Sequence, residues 1–269
     1  MPATEVADRA RAAVRLAEYV RQAGKLALSM FQTPLKSWTK AGSSPVCDAD
    51  VSVDRLLHER LSAEGSGIAW LSEESVDDPA RLAARYVWVV DPIDGTRAYL
   101  AGLPDWAVSV ALVDHGRPVA ACLYAPVTEE FFSAVAGKGA TRNGVAIAAS
   151  GGASLAQARI AGPKGLLERF AEVAPPFVVM PRLPSLALRL ARVAQGTFDA
   201  AIAGGNSYDW DLAAADLLVH EAGGAITSFG GGPVIYNGPV PRHGALVAAG
   251  RDRHATLIDL LRDRRVASA

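Results

Sequence analysis

The sequence predicts an α/β protein of the α+β kind, a largely antiparallel sheet with helices packed on it. Three observations predict this. An amphipathic helical pattern opens the chain over residues 5–32, and a second helical pattern follows Asp50. Apolar runs of strand length then recur between residues 106 and 136, separated by hairpin turn signals. Beyond residue 150 helical stripes alternate with short apolar runs.

Composition narrows the class. A chain of 269 residues suits one large domain or two intimate subdomains. With 50% hydrophobic and 20% charged residues it has the balance of a soluble globular protein. A formal net charge of −1 gives no sign of a nucleic-acid polymer or a membrane surface as partner. Cys47 and Cys122 form neither a disulfide framework nor a Cys-x-x-Cys pair, so a reducing compartment is expected. No apolar run approaches a membrane span, and Met1 to Arg15 alternates charge with alanine instead of carrying the apolar core of a signal peptide. A cytoplasmic location is the expectation.

In the first helix Ala10, Val14, Ala17, Val20, Ala27, Leu28 and Phe31 form the apolar stripe, and Pro34 follows its end. Lys36 to Val46 is polar and predicts a loop. Asp48 and Asp50 precede a helix marked by Val53, Leu56, Leu57 and Leu61, where an acid ordinarily caps. Ile68 to Leu71 predicts a short strand, and Asp77, Asp78 and Arg81 to Arg85 an exposed connector. Trp106–Val113 and Pro118–Ala125 flank Asp114-His115-Gly116-Arg117, a good hairpin connection, with His115 as an exposed turn residue. Phe131–Ala136 continues the sheet, and Asn143-Gly144 signals a type I′ turn.

Ser150 to Ser154 is a small-residue break that divides the chain into subdomains 1–150 and 151–269. Beyond it, helices are expected over 165–173, 183–194, 212–222 and 252–264, and strands over 177–180, 198–203, 225–229 and 245–249. Gly230-Gly231-Gly232 lacks the Gly-Lys-Ser/Thr of a phosphate loop and is a turn.

The stretch that carries chemistry is Trp88 to Ala98. Val87–Val90 is a buried strand in pattern, and Asp91-Pro92 ends regular pairing. Asp91 and Asp94 follow three residues apart, Gly95 permits a sharp turn, and Thr96 opens a short helix to Leu100. Carboxylates this close repel unless a cation lies between them. Amides of Gly95 and Thr96 suit an anion. Together they describe a metal-assisted phosphate site.

The string Asp91-Pro92-Ile93-Asp94-Gly95-Thr96 resembles the signature of the inositol monophosphatase superfamily. Further matches follow in order: Ser44-Pro45-Val46-Cys47-x-x-Asp50, Glu73-Glu74 after a strand, Trp210-Asp211 at a helix start, and Glu221-Ala222-Gly223-Gly224 at its end. They cover the chain from about residue 40 to about 250. The resemblance implies an αβαβα layered sandwich and a lithium-sensitive phosphatase using two or three Mg²⁺ ions. It implies Glu73, Asp91, Asp94, Asp211 and the carbonyl of Ile93 as metal ligands, most of them in the first subdomain and the last in the second. Glu73 and Thr96 would position the attacking water, with Asp50 behind Thr96, and Gly95, Thr96 and Lys40 would serve the phosphate. A homodimer is also implied. Two positions depart from the pattern: Cys47 replaces a threonine and Ser72 a glycine. Gly-x-Ser-x-Gly is absent, so a serine hydrolase is the wrong class.

The superfamily's substrates include inositol phosphates, 3′(2′),5′-bisphosphate nucleotides and histidinol phosphate. Ala203-Gly204-Gly205 lacks the glutamate with which inositol monophosphatases hold inositol hydroxyls. Ser185 to Arg189 resembles the segment in which bisphosphate nucleotidases carry a basic residue, so Ser185 and Arg189 are candidate substrate residues. The plain alternative for Arg189 is a solvated helix face. Gly102-Leu103-Pro104-Asp105-Trp106 resembles histidinol phosphatases instead. Outside enzymes, the competing class is a metal-binding regulatory protein without useful turnover.

Overall fold

The computed structural model of the chain describes residues 3–40, 45–65 and 67–261, the first eight of them as backbone. Ser44, the side chain of Ala10 and the expected helical residues 262–264 lie outside the described residues. Helix α1 (Ala3–Met30) packs on α2 (Asp48–Ser62). Its buried stripe is Leu16, Val20, Ala23 and Ala27, at helical spacing. The stripe read from the sequence was turned about the axis, since Val14 is 70% exposed and Leu28 40%. Alanines carry little directional signal, and Leu16 sets the true face. The expected loop at 36–46 instead holds two short antiparallel strands, β1 (Ser37–Thr39) and β2 (Pro45–Cys47).

The main sheet has seven strands in chain order: β3 (Ile68–Ser72), β4 (Tyr86–Asp94), β5 (Ala107–Asp114), β6 (Arg117–Ala125), β7 (Glu130–Val135), β8 (Ala140–Arg142) and β9 (Val145–Ile147). All neighbours are antiparallel except β3 and β4, which run parallel. Both faces of β4 are buried, which explains its unbroken apolar run. Trp88 and Val90 pack toward α1 and α2, and Val87 and Val89 join the opposite core. His115 and Gly116 take left-handed φ of 47° and 75° at the β5–β6 turn, and Asn143 and Gly144 do so at 51° and 80°.

The segment between β3 and β4 is not an exposed connector. A 3₁₀ turn, Pro79–Ala83, buries Arg81. Its guanidinium holds Asp77 at 2.5 and 2.9 Å, Asn237 Oδ1 at 2.7 Å and the carbonyl of Gly238 at 3.0 Å. A charge run alone does not reveal a partner 156 residues away.

The short α3 (Thr96–Leu100) belongs to the site below; past residue 150 come β10 (Arg159–Ala161), α4 (Lys164–Ala171), the two-residue β11 (Val178–Val179) and α5 (Leu186–Ala194). Helix α5 starts later than the apolar pattern because Pro184 precedes it. Then follow β12 (Ala200–Ala203), β13 (Ser207–Tyr208), α6 (Asp209–Glu221), β14 (Gly224–Ser228), β15 (Arg242–His243), β16 (Leu246–Gly250) and α7 (Arg251–Leu261). A five-stranded mixed sheet has the order β11-β10-β12-β16-β14. Apolar side chains of α5 and α6 fill the space between the two sheets, and α4 and α7 cover the far face of the second. The layers therefore run α, β, α, β, α, as the resemblance implied. Among the described residues no helix is long and apolar enough to cross a membrane.

Buried ion pairs tie the layers together. Glu130 on β7 is 5% exposed and meets Arg192 of α5 at 2.6 and 2.5 Å, with Arg142 of β8 at 3.0 Å. Burial raises its pKa, but hydrogen bonds from Arg192 and Thr128 and the charges of Arg192 and Arg142 outweigh it and hold Glu130 below its ordinary 4.5. A depressed folded pKa gives stability that is present above the ordinary value and lost as pH falls through the depressed one. Glu130→Ala leaves Arg192 unpaired and is expected to cost about 3 kcal/mol at pH 7, on the order of 6–12 °C in Tm. In thermal denaturation the gap to the unmodified protein should narrow as pH falls below 4.5.

Candidate active site

The site begins with an irregularity in β4. Asp91 pairs with Ser109 and Asp94 with Ala107, so three residue steps on β4 face two on β5. In a regular strand residues three apart point to opposite faces. The extra residue of this bulge brings both carboxylates to one side. The strand continues through Pro92 to Asp94, beyond the end expected at Asp91-Pro92. Gly95 then turns the chain at φ 97°. A side chain there would also meet the carbonyl of Asp105 at 2.9 Å and Ser185 at 3.3 Å, so glycine is required twice over. Helix α3 follows at once, and its first amides have no intrahelical acceptor.

Asp91 and Asp94 meet Asp211 of α6, with carboxylate oxygens of all three within 4.8 Å of one another. Asp91 and Asp94 are buried and Asp211 is half-buried. Burial first, then the neighbouring carboxylates, pushes Asp91 and Asp211 well above the ordinary aspartate range. Burial also raises Asp94, against hydrogen bonds from Ser185, Ala187 and Leu186 and the charge of Arg189. An all-oxygen donor set that resists ionisation on its own suits a hard divalent cation such as Mg²⁺. Glu73 follows β3 and lines the same cavity of about 660 Å³. Lys40 Nζ donates to the Glu73 carbonyl at 3.0 Å and to Glu74 at 2.6 Å, and lies 3.5 Å from the Glu73 carboxylate. Ser72, at the family's glycine position, donates to Asp54 of α2 at 2.5 Å, and Ser75 does so at 2.7 Å, which fixes the Glu73 loop.

A second chain of contacts runs behind the turn. Thr96 Oγ1 lies 3.1 Å from Asp50 Oδ1 and 3.1 Å from the Ile93 carbonyl. Asp50 is buried, and its other oxygen accepts from the backbone N–H and the thiol of Cys47, each at 2.8 Å. Asp50 therefore caps α2 and holds Thr96 at once. Asp211 does the same on α6: it accepts from the Tyr208 amide at 2.6 Å while joining the carboxylate cluster. Capping and the site are not alternatives here. Burial and the Asp50 hydrogen bond raise the Cys47 thiol to about 12, so it stays protonated and donates as a threonine hydroxyl would.

Two candidates fall elsewhere. Ser185 is fully buried, caps α5 through the Leu188 amide and gives its hydroxyl to Asp94. It positions Asp94 and does not line the cavity. Arg189 is not on a solvated helix face: it is 9% exposed, donates to the Leu183 carbonyl at 2.7 Å, and lines a separate cavity of about 670 Å³ with Lys164, Phe177, Met180 and Arg182. Arg182 also lines the carboxylate cavity, so the two are neighbours. Sequence reasoning missed Asp209, which accepts from His243 Nε2 at 2.6 Å and the Asn237 amide at 2.7 Å and so braces the start of α6. Its place beside Trp210-Asp211 was the available signal. It also missed Arg182, Tyr208 and Arg242 on the cavity wall, which no motif marks.

This geometry has known counterparts. Residues 8–265 match the inositol monophosphatase family. An inositol monophosphatase of Dictyostelium discoideum is 32% identical over 228 residues, 80% of this chain and 84% of that protein. A 3′(2′),5′-bisphosphate nucleotidase CysQ of Aggregatibacter actinomycetemcomitans is 29% identical, covering 82% of this chain and 85% of its own. The extragenic suppressor protein suhB of Bartonella henselae superposes with a TM-score of 0.81 at 28% identity, over 93% of this chain and 98% of its own. With the family matched across nearly its whole length and the carboxylates gathered at one cavity, the chain belongs to the inositol monophosphatase family, a group of phosphatases.

Proposed function

We propose that the chain is a Mg²⁺-dependent, lithium-sensitive phosphomonoesterase that hydrolyses a small phosphorylated metabolite with water as nucleophile, in a reducing cytoplasm and as a homodimer. The observation that carries this is the convergence of Asp91, Asp94 and Asp211 within 4.8 Å beside the Gly95–Thr96 turn. Asp91, Asp94, Asp211, Glu73 and the Ile93 carbonyl are the donors for two or three ions. Bound Mg²⁺ supplies charge neutralisation at the ester and lowers the pKa of water.

The residues themselves do the rest. Asp50 accepts the Thr96 proton, which leaves the Thr96 lone pairs to accept from the attacking water. Glu73 faces the same water and is held in place through Lys40. The amides of Gly95 and Thr96 orient the phosphate oxygens. No protein nucleophile is needed.

For substrate, a 3′(2′),5′-bisphosphate nucleotide is favoured over an inositol monophosphate. Among the described residues every carboxylate on the cavity wall belongs to the metal set, which leaves none of them for sugar hydroxyls, whereas Arg97, Arg182 and Arg242 also line it. Arg189 with Lys164 in the adjoining cavity suits a second phosphate. A phosphate-release panel of adenosine 3′,5′-bisphosphate, inositol 1-phosphate and histidinol phosphate tests the ranking. The nucleotide should have the highest kcat/KM, and preference for either of the others reverses it.

Chelation should abolish turnover, Mg²⁺ should restore it, and lithium should inhibit it. Turnover surviving verified metal removal overturns the metal assignment. Asp94→Asn and Asp211→Asn should each remove nearly all activity but differ in metal-free stability. Asp211→Asn removes one like charge while the asparagine carbonyl can still accept the Tyr208 amide, so Tm should hold or rise. Asp94 accepts from Ser185, Ala187 and Leu186 through both oxygens, and an asparagine amide cannot replace both. Its stability should fall by about 1–3 kcal/mol, and its Tm with it. Differential scanning calorimetry with and without Mg²⁺ reads both: Mg²⁺ should raise Tm in the unmodified protein and in neither variant.

A further inference from the structure

Strand β13, just before Asp211 in the chain, pairs with β15, and the pairing sets Tyr208 directly opposite Arg242. Cross-strand partners project to the same face of a ribbon. Both residues line the carboxylate cavity. The Tyr208 ring lies parallel to that of Trp210, with centroids 4.7 Å apart and planes 2° from coincidence. Trp210 covers one face of Tyr208, and the residue still keeps 37% of its surface exposed. Among the described residues neither the Tyr208 hydroxyl nor the Arg242 guanidinium has a hydrogen-bond partner.

The ribbon is held from several sides. His243 Nε2 lies 2.6 Å from Asp209 Oδ1, the Asp209 amide donates to the Pro241 carbonyl at 3.0 Å, and the Asn206 amide donates to the His243 carbonyl at 3.0 Å. Asn237, whose amide donates to Asp209 at 2.7 Å, is itself gripped by Arg81. A ribbon held this firmly places a ring stacked on Trp210 and an unpaired guanidinium side by side on the cavity wall, a site suited to a flat, electron-rich group.

We propose that Tyr208 and Arg242 recognise the leaving group of the substrate, and that this group carries a nucleobase-like planar ring. The ring extends the Trp210–Tyr208 stack by one layer, and Arg242 lies beside it, able to donate to ring nitrogens or to an attached anion. This rests on the reading of the carboxylate cavity as the phosphatase site. It adds to that reading the residues that select one phosphate ester from another.

The test compares adenosine 3′,5′-bisphosphate with glycerol 2-phosphate, which has no ring. Tyr208→Leu should raise KM for the nucleotide and lower the nucleotide-to-glycerol ratio of kcat/KM roughly ten- to thirtyfold, while Tyr208→Phe keeps most of the ratio. Arg242→Gln should lower the same ratio, about five- to tenfold, with Arg242→Lys between. Equal losses on both substrates, or none, overturn the proposal and leave Tyr208 a packing partner of Trp210. On the unmodified protein, adenosine 5′-phosphate should inhibit glycerol 2-phosphate hydrolysis about tenfold more tightly than ribose 5-phosphate; equal inhibition overturns the proposal without relying on any variant. Hydrolysis of glycerol 2-phosphate without any of the nucleotide overturns the proposal but leaves the phosphatase reading standing. Release of phosphate from neither ester with Mg²⁺ present overturns both.

Discussion

Three carboxylates within 4.8 Å of one another are the constraint on which the rest of this structure depends. Two unit charges at that separation repel by about 3–4 kcal/mol at an effective dielectric near 20. Three such pairs sum to roughly 10 kcal/mol, as large as the whole stability of a typical domain. The cluster therefore cannot stand fully ionised without compensation. Either protons or cations must fill it, and the upward-shifted pKa values of Asp91, Asp94 and Asp211 are the proton-bound side of that choice. A divalent ion that displaces those protons also relieves the repulsion, so metal binding and fold stability are coupled at this point.

Each member of the cluster is anchored at a different element. Asp91 accepts from the Ile93 amide within β4 at 3.0 Å. Asp94 accepts from Ser185, Leu186 and Ala187 at the start of α5. Asp211 reaches back to the Tyr208 amide at the start of α6. The central helical layer thus points two N-termini toward the edge of the main sheet, where partial positive charge favours the acids that lie there. Glu130 and Arg192 bind the same two layers at another point, on β7 and α5. Packing of apolar side chains sets the spacing of the layers, and the caps convert that spacing into a site.

Much of this was legible in the sequence, for physical reasons that differ by element. The strand at 87–90 and the hairpin turns at 114–117 and 143–144 rest on local rules, burial on both faces and left-handed φ, and local rules survive tertiary context. The site acids Asp50, Asp91, Asp94 and Asp211 stood out through their neighbours: proline and glycine in one motif, a helix start in the others. What was not legible was long-range. Arg81 lies in an acidic and basic run that resembles surface, yet it is buried against Asn237. Ser185 carried the right motif and the wrong role, because only the fold shows that Asp94 occupies its hydroxyl. The face of α1 was misjudged because a helix rich in alanine has a weak apolar period, and one leucine decides it.

The placement of arginines follows from the same charge balance. Arg81, Arg159 and Arg192 are paired with acids away from the carboxylate cluster, where they join elements. Arg182 and Arg242 stand on the cavity wall, and among the described residues neither forms an ion pair with Asp91, Asp94 or Asp211. An arginine set directly on those aspartates would neutralise them permanently, lower their pKa values and occupy the place of the cation. Kept at the rim, the same charge leaves the cluster available to the metal and still attracts an anion as it approaches. On the proposed reading, with cations balancing the acids, the wall would be left net positive, which would favour an ester bringing more negative charge than a single phosphate. On the proposed reading, acids gathered at the β4–α6 cluster and arginines kept to the wall would let one cavity hold a cation and take an anion.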